Sequence, residues 1–133
     1  MADRKSEDTH SAMIRVVVDC LENDLYTDLR ADVPGYIQPL PIILKNHPDA
    51  HIPDVTGVKK DEFHLFEVET EDTINDVHTE SEWRLFADFA EKYHNVFHIV
   101  VPKGLTADTE KQLLKLNIRA VVHGIREMES IEP

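Results

Sequence analysis

The sequence has little cysteine, little glycine and no long apolar run. It contains one cysteine, Cys20, and four glycines that are all isolated. One cysteine excludes an internal disulfide framework and a cysteine-rich zinc site, and isolated glycines exclude a glycine-rich phosphate loop. No apolar run approaches the roughly 18 residues of a membrane span, and the polar start of the chain is unlike a secretory signal. We therefore expect a cytoplasmic protein with no membrane partner.

Positive charge is also scarce. The chain has 14 lysines and arginines against 26 aspartates and glutamates, which gives a formal net charge of −12 at pH 7. An open, non-specific grip on nucleic acid or an anionic membrane needs clustered positive charge, and this balance argues against it. The length of 133 residues fits one domain. We predict a flexible polar tail over residues 1–11 and a single domain over residues 12–133.

The acidic residues are concentrated in one part of the chain. Residues 61–91 contain 11 acidic residues and one basic residue, Arg84. One explanation is a solvated helix face. The other is a cation site, because carboxylates at this density repel one another unless a metal or a basic partner offsets their charge. The charge count leaves both explanations open.

Apolar periodicity and turn residues predict a helix, three strands, a helix, a strand, a helix and a strand. The first helix is predicted over residues 11–26. The first strand is predicted over residues 36–44, at a sheet edge because it contains Pro39 and Pro41. The remaining elements are a hairpin over 52–69, a helix with the capping-box pair Thr79 and Glu82, a strand over 96–101, a short helix capped by Thr106 and a strand over 118–125. This order predicts an α/β fold, a mixed β-sheet flanked by helices.

The hairpin is the most informative stretch of the sequence. If its turn is centred between Lys60 and Asp61, Asp54 lies directly opposite Glu67, and Glu69 points to the same face. A hard divalent cation such as Mg²⁺ relieves the repulsion among three such acids, and a metal-bound water then allows phosphate hydrolysis. The alternative is an acidic edge where the two strands emerge into solvent.

The same residues resemble the active-site signature of the PD-(D/E)XK nuclease superfamily, which includes many restriction endonucleases and repair nucleases. The signature here is Pro53-Asp54, followed 13 positions after Asp54 by Glu67-Val68-Glu69. The core order of that superfamily, a helix, a three-stranded antiparallel meander, a helix and a strand, is similar to the order predicted over residues 11–101. The resemblance implies a restriction-endonuclease-like sheet and Mg²⁺- or Mn²⁺-dependent hydrolysis of DNA or another nucleic acid.

The resemblance also implies roles for individual residues. Asp54 and Glu67 correspond to the metal-binding carboxylates, and the Val68 carbonyl to a further ligand. Glu69 stands where the family usually has a lysine that orients the attacking water. Some restriction enzymes of the superfamily carry glutamate at this position, so the difference is compatible both with catalysis and with an inactive member.

Four further residues carry alternatives. Glu22 on the first helix resembles the accessory acid of many members, and Asp19 competes with it for that role. The alternative for either is an ordinary surface residue. Glu82 and Trp83 resemble the polar and aromatic residues that open the second helix in some members. The capping box explains Glu82 equally well, and Trp83 is either a core residue or a base-stacking platform.

Histidine spacing does not predict a metal site. His47 and His51 are four residues apart, as are His94 and His98. Pro48 interrupts the first pair, and the second pair crosses a predicted junction between helix and strand. Because neither pair lies on a clean helical face, we expect the histidines to be ordinary polar residues. For His78 the alternative is an approach to the acidic site from the start of the second helix.

Two functions follow from these patterns. The first is metal-dependent phosphodiester hydrolysis by Asp54 and Glu67, with Glu69 and Glu22 as further catalytic acids. The second is a catalytically inactive nuclease-fold module that acts in oligomerisation or protein binding, which the missing lysine and the acidity favour. A nuclease this acidic needs bound metal, a homodimer or a basic protein partner to hold its substrate.

Overall fold

The computed structural model describes residues 4–129 of the chain. The elements are α1 (Arg4–Asn23), β1 (Thr27–Ala31), β2 (Val55–Lys59), β3 (Glu62–Val68), α2 (Val77–Tyr93), β4 (Val96–Val101), α3 (Thr106–Leu116), β5 (Val121–Gly124) and α4 (Ile125–Glu129). The predicted α/β class, a mixed sheet flanked by helices, is confirmed. Within residues 4–129, no helix has both the length and the apolar character that crossing a bilayer requires.

One five-stranded sheet organises the fold, in the order β1-β2-β3-β4-β5. The first three strands form an antiparallel meander. β4 pairs parallel with β3, and β5 pairs parallel with β4, through crossovers that contain α2 and α3. The start of β2 therefore lies at the same sheet edge as the carboxyl ends of β3, β4 and β5, and this edge carries the site described below.

The hairpin of β2 and β3 has the predicted register. The strands pair without a slip from Val55 opposite Phe66 to the turn, which is centred between Lys60 and Asp61. Both turn residues have positive φ, 52° and 63°, as a two-residue type I′ turn requires. The turn lacks the favoured Asn-Gly pair. Residues 64–68 of β3 are buried on both faces of the strand, and a slip by one residue would move each of these side chains into the opposite layer, which fixes the register.

Two apolar layers cover the sheet. On one face, α1 packs Ile14, Val17 and Val18 against a layer that includes Phe66 and Val68. On the other face, α2 and α3 cover a second layer, which includes Leu65, Trp83, Phe86, Ile99 and Val101. Alternate residues of β3 thus enter opposite layers, as strand geometry dictates. The central strands are covered on both sides, and polar residues at their ends are buried with them.

The first helix differs from its prediction at both ends. It begins at Arg4, so residues 4–11 are helical and not the predicted tail; residues 1–3 of that tail lie outside the described residues. A helix anchored by packing propagates readily into a polar turn, which explains this difference. The helix ends at Asn23, before the predicted residue 26, because Leu25 takes a left-handed φ of 65°.

The predicted first strand, residues 36–44, is wrong. This segment is a loop with one isolated bridge, Ile42 to His51, and β1 forms earlier in the chain. Pro39 and Pro41 lack the N–H groups that a continuous ladder needs. The sequence pattern did not predict β1, because a bulge interrupts its pairing with β2 and breaks the alternation of its inward- and outward-facing residues.

The start of α2 also differs from its prediction. Asp76 caps the helix by accepting a 2.8 Å hydrogen bond from the backbone N–H of His78. Thr79 and Glu82 therefore do not form the predicted capping box, and Glu82 lies on the turn that covers the site. The predicted strand over 96–101 is confirmed as β4. The last strand is shorter than predicted and is followed by α4, which no periodicity indicated.

Candidate active site

The hairpin brings the three predicted carboxylates together at the sheet edge. Continuing its register by one residue places Asp54, just before β2, opposite Glu67. The Asp54 N–H donates to Glu67 Oε1 at 3.0 Å, and the Val68 N–H donates to Asp54 Oδ2 at 2.7 Å. Asp54, Glu67 and Glu69 are 7%, 3% and 4% exposed. Each strand thus holds the carboxylate of the other in a buried position.

Glu69 is anchored at both carboxylate oxygens. Thr73 Oγ1 donates to Oε1 at 2.8 Å, and Trp83 Nε1 donates to Oε2 at 3.0 Å. The Glu69 N–H donates to the Val100 carbonyl of β4 at 2.9 Å. Trp83 is fully buried, so it is a core residue whose indole N–H positions Glu69, and not a base-stacking platform.

A fourth carboxylate, Glu82 of α2, joins this cluster. Its side chain hydrogen-bonds the side chain of Glu67, and such a bond requires a proton on one of the two carboxyl groups. His78 Nε2 lies 3.5 Å from Glu82 Oε1, one helical turn away. The sequence indicated Glu82 through the family resemblance and through a capping box that does not form. Its role in the cluster follows from where α2 begins.

Burial raises the pKa of three of these four carboxyl groups. Burial and then the charge of Asp54 raise the pKa of Glu67 well above its usual range. The same two causes raise the pKa of Glu69 to about 8, although its two hydrogen-bond donors lower it. Burial also raises the pKa of Glu82. A divalent cation can replace such protons, because it offsets the repulsion that retains them.

The basic partner of the cluster is His10, which the sequence analysis missed. His10 Nε2 lies 3.1 Å from Asp54 Oδ2. Burial alone would lower the pKa of His10, but the hydrogen bond and charge of Asp54 outweigh it and raise that pKa to about 9. His10 is therefore an imidazolium at neutral pH. It precedes buried Ile14 by four residues, one turn of the same helical face. That spacing was the available signal, and it fell in the predicted tail.

Beside the carboxylates lies a histidine cluster. One ligand atom each from His51, His78 and Glu82 lies within 4.8 Å of the others, so these residues could hold a metal ion. Burial and then the neighbouring His78 lower the pKa of His51, which keeps its imidazole in the neutral form that binds metals. The structure therefore contains a histidine group that could hold a metal ion, which the spacing of histidines along the chain did not predict.

The pairs suggested by sequence spacing do not form the cluster. His47 Nε2 lies 2.7 Å from Asp88 Oδ2, so His47 pairs with an aspartate of α2 and not with His51. His94 is the left-handed C-cap of α2, and His98 is buried within β4. His51 meets His78 because an isolated bridge positions the loop against the first turn of α2, a long-range contact that spacing along the chain does not reveal.

Comparisons with known proteins support the fold alone. No protein-family model matches the sequence, and no curated protein matches it. Among solved structures, the chain is similar to protein VC1899 from Vibrio cholerae, with a TM-score of 0.52 and 15% sequence identity. The likeness covers 90% of this chain, which spans 29% of the length of that protein. A shared fold does not imply a shared function.

The structure does not bring Glu22 to the cluster. Glu22 is exposed and lies 12 residues beyond His10 on α1, roughly 18 Å farther along the helix axis at the usual rise per residue. Its competitor Asp19 is exposed as well. The prediction of an accessory acid on the second half of α1 is corrected accordingly: the first half of the helix reaches the site, and it contributes an imidazole.

The acidic segment divides into buried and surface residues. Glu67 and Glu69 belong to the buried cluster, and Glu82 is half-buried beside them. The exposed acids of the segment are Asp61, Glu62, Glu71, Asp72, Asp88 and Glu91. The surface acids supply much of the net charge, whereas the buried ones form the candidate site.

Proposed function

We propose that this protein is a metal-dependent phosphodiesterase that acts on nucleic acid, with Asp54 and Glu67 as ligands of a Mg²⁺ ion. The observation that carries the proposal is the buried pair of facing carboxylates. Among the described residues, no lysine or arginine forms an ion pair with either of them. Hard oxygen ligands suit Mg²⁺, and Mn²⁺ accepts the same donors.

The residues around the pair fit this chemistry. Asp54 receives its two hydrogen bonds on Oδ2, which leaves Oδ1 for a cation. Val68 lies between Glu67 and Glu69 at the end of β3, and its carbonyl as a further ligand stays a prediction. A bound Mg²⁺ would supply a Lewis acid for the phosphate and lower the pKa of an attached water.

Glu69 takes the place of the usual lysine beside the attacking water. Its pKa of about 8 lets it exchange a proton near neutral pH, as a general acid or base must. Thr73 and Trp83 fix its orientation. His10 supplies the positive charge nearest to Asp54 and offsets part of the charge that a lysine would otherwise offset.

Substrate binding must overcome the acidity of the chain. Each phosphate contact needs roughly one positive charge, and the net charge is −12. We infer that bound metal, a second subunit of a homodimer or a basic protein partner supplies it. A cytoplasmic location, where all three are available, stays a prediction of the sequence.

Metal titration tests the proposal without a guess at the substrate. Calorimetry with Mg²⁺ and Mn²⁺ on the wild type and on the Asp54→Asn, Glu67→Gln double variant should show binding that the variant loses. Hydrolysis of fluorescent single- and double-stranded DNA should fall by more than the roughly 10–100-fold that loss of an outer-shell partner costs. Equal metal binding by the two proteins would refute the proposal.

A second candidate function is an inactive module of the same fold. Glu69 has both oxygens occupied by protein donors, and Ile37, Leu40 and Ile43 on the loop before β2 are 66–70% exposed. Exposed apolar residues of this kind suit a protein contact. This candidate predicts a stable dimer in sedimentation analysis and no metal-dependent hydrolysis of any nucleic acid tested.

A further inference from the structure

The cluster of His51, His78 and Glu82 is built from two segments that are each fixed in place. His78 and Glu82 lie one turn apart on α2. His51 is held by reciprocal backbone hydrogen bonds with Ile42, at 2.8 and 3.2 Å. The His51 and His78 rings stand nearly perpendicular, with centroids 5.3 Å apart. Two elements separated along the chain therefore direct three metal-ligating side chains at one point.

We propose that this cluster is a second cation site, which takes a borderline transition-metal ion such as Zn²⁺. Two imidazoles and one carboxylate form a ligand set found at zinc centres that keep an open position, whereas Mg²⁺ prefers oxygen ligands throughout. Ligands about 2.1 Å from a tetrahedral ion lie roughly 3.4 Å from one another. His78 Nε2 and Glu82 Oε1 already lie 3.5 Å apart.

The three ligand atoms need to move only slightly to bind an ion, and the exposed side chain of His78 can make that movement. The three ligand atoms lie within 4.8 Å of one another, so closing on an ion requires a shift of about an ångström. The side chain of His78 is 71% exposed, and an exposed rotamer changes without disturbing the core. Ser81 Oγ lies 3.0 Å from His51 Nε2 and orients that ring, as outer-shell partners of metal ligands do.

Charge around the cluster also favours a cation. Glu82 stands next to Glu67, at the margin of the four-carboxylate cluster formed with Asp54 and Glu69. Among the residues whose side chains the structure describes, the ion pairs of these four acids are with His10 and His78, and none is with a lysine or an arginine. A cation bound to the histidines would pair with the Glu82 carboxylate, and no basic side chain would have to leave that carboxylate first.

This inference does not rest on the proposed function. The Mg²⁺ pair uses Asp54 and Glu67, and the second site uses two histidines that the first does not contain. Glu82 is the residue that contacts both. Occupation of the histidine site would draw Glu82 towards the ion and away from Glu67, so the two sites are expected to be coupled through this side chain.

Zn²⁺ and Co²⁺ titrations of the full chain, without an affinity tag, test the inference. We expect one equivalent of Zn²⁺ by calorimetry, and visible absorption from Co²⁺ bound to nitrogen ligands. The His51→Ala, His78→Ala double variant should bind Zn²⁺ at least about 100-fold more weakly and lose the Co²⁺ absorption, because it removes two of three ligands. Its Mg²⁺ titration should match that of the wild type.

Two control variants keep the outcomes distinct. His47→Ala removes a histidine of the same loop that pairs with Asp88, and it should retain full Zn²⁺ affinity. The Asp54→Asn, Glu67→Gln variant should lose Mg²⁺ binding and retain Zn²⁺ binding, so that failure of the proposed function is visible separately. Because His78 is exposed, the His78→Ala single variant should fold like the wild type. A loss of Zn²⁺ affinity in this variant is then not caused by misfolding. Unchanged Zn²⁺ affinity in the double variant, or an equal loss in His47→Ala, would overturn the second site.

Discussion

The sheet carries two buried polar clusters, one of histidines and one of carboxylates. The two clusters meet their hydrogen-bonding needs in different ways. On the α1 face, His64 Nδ1 lies 2.9 Å from His98 Nε2, and His98 Nδ1 lies 2.9 Å from His123 Nε2. His98 also stacks on Phe66, with ring centroids 4.2 Å apart. A neutral imidazole has one donor and one acceptor, so such a row can satisfy itself.

The carboxylates cannot satisfy themselves in this way. An ionised carboxylate is only an acceptor, and, besides burial, the charge of Asp54 raises the pKa of Glu67, Glu69 and Glu82. They remain buried by holding protons, by pairing with His10 or by binding a cation. The comparison shows that a buried polar cluster indicates a ligand when its own members cannot supply its missing donors.

The largest effect is expected from breaking the contact between the carboxylate cluster and the core. Trp83→Ala removes a fully buried ring and the indole donor to Glu69. We expect a loss of about 3–5 kcal/mol in the free energy of unfolding. Chemical denaturation measures it. Trp83→Phe keeps the ring and removes the N–H, so it should cost about 1–3 kcal/mol. An unchanged stability of Trp83→Phe would mean that the hydrogen bond contributes nothing, and equal losses in the two variants would mean that burial of the ring contributes nothing.

The two clusters should respond to pH in opposite senses. Burial and then the neighbouring histidines lower the pKa of His98 to about 3, so its stabilising contribution is present above 6.5 and is lost as the pH falls towards 3. The contribution of Glu69, whose pKa is about 8, is present below 4.5 and is lost as the pH rises through 8. Each amounts to roughly 3–5 kcal/mol.

Paired variants separate these contributions. His98→Leu should flatten the loss of stability below pH 6.5, and Glu69→Gln should flatten the loss above pH 4.5, in unfolding free energies measured across the range without metal. Both variants also lose hydrogen bonds, so the slope against pH is informative and the absolute stability is not. Parallel curves for the wild type and a variant would contradict the assignment for that cluster.

Metal should stabilise one cluster and leave the other unaffected. A cation present at 100 times its Kd stabilises the folded state by about 2.7 kcal/mol. We expect Mg²⁺ to raise the Tm of the wild type more at pH 8 than at pH 5, because it competes with protons for the carboxylates. The His98→Leu variant should keep this shift and the Asp54→Asn, Glu67→Gln variant should lose it. A shift in both would locate the metal elsewhere.

The smallest effects distinguish the two halves of α1. His10→Gln removes the imidazolium that pairs with Asp54, and we expect a loss of about 1 kcal/mol in stability without metal. Glu22→Gln alters an exposed residue and should change the stability by less than about 0.5 kcal/mol. Thermal denaturation at low salt compares them. A larger effect of Glu22→Gln than of His10→Gln would restore the accessory acid of the sequence prediction.

The sequence predicted the parts that depend on local pattern. The hairpin register, and with it the pairing of Asp54 with Glu67, followed from alternation and the position of one turn. Glu82 was named as one of two alternatives, whereas His10 and the meeting of His51 with His78 were missed, because they depend on where α1, α2 and the loop before β2 meet across the sheet edge. Propensity along the chain carries no information about such contacts.

One backbone contact also sets the order in which the site is assembled. Glu69 donates its N–H to Val100, which belongs to a strand reached only after α2 has been synthesised and has crossed the sheet. Until then Glu67 and Glu69 lack the burial that raises their pKa in the folded protein. A long parallel crossover delays such pairing in folding. The site is therefore expected to form late in folding. The raised pKa values of its glutamates should then report that β4 has paired with β3.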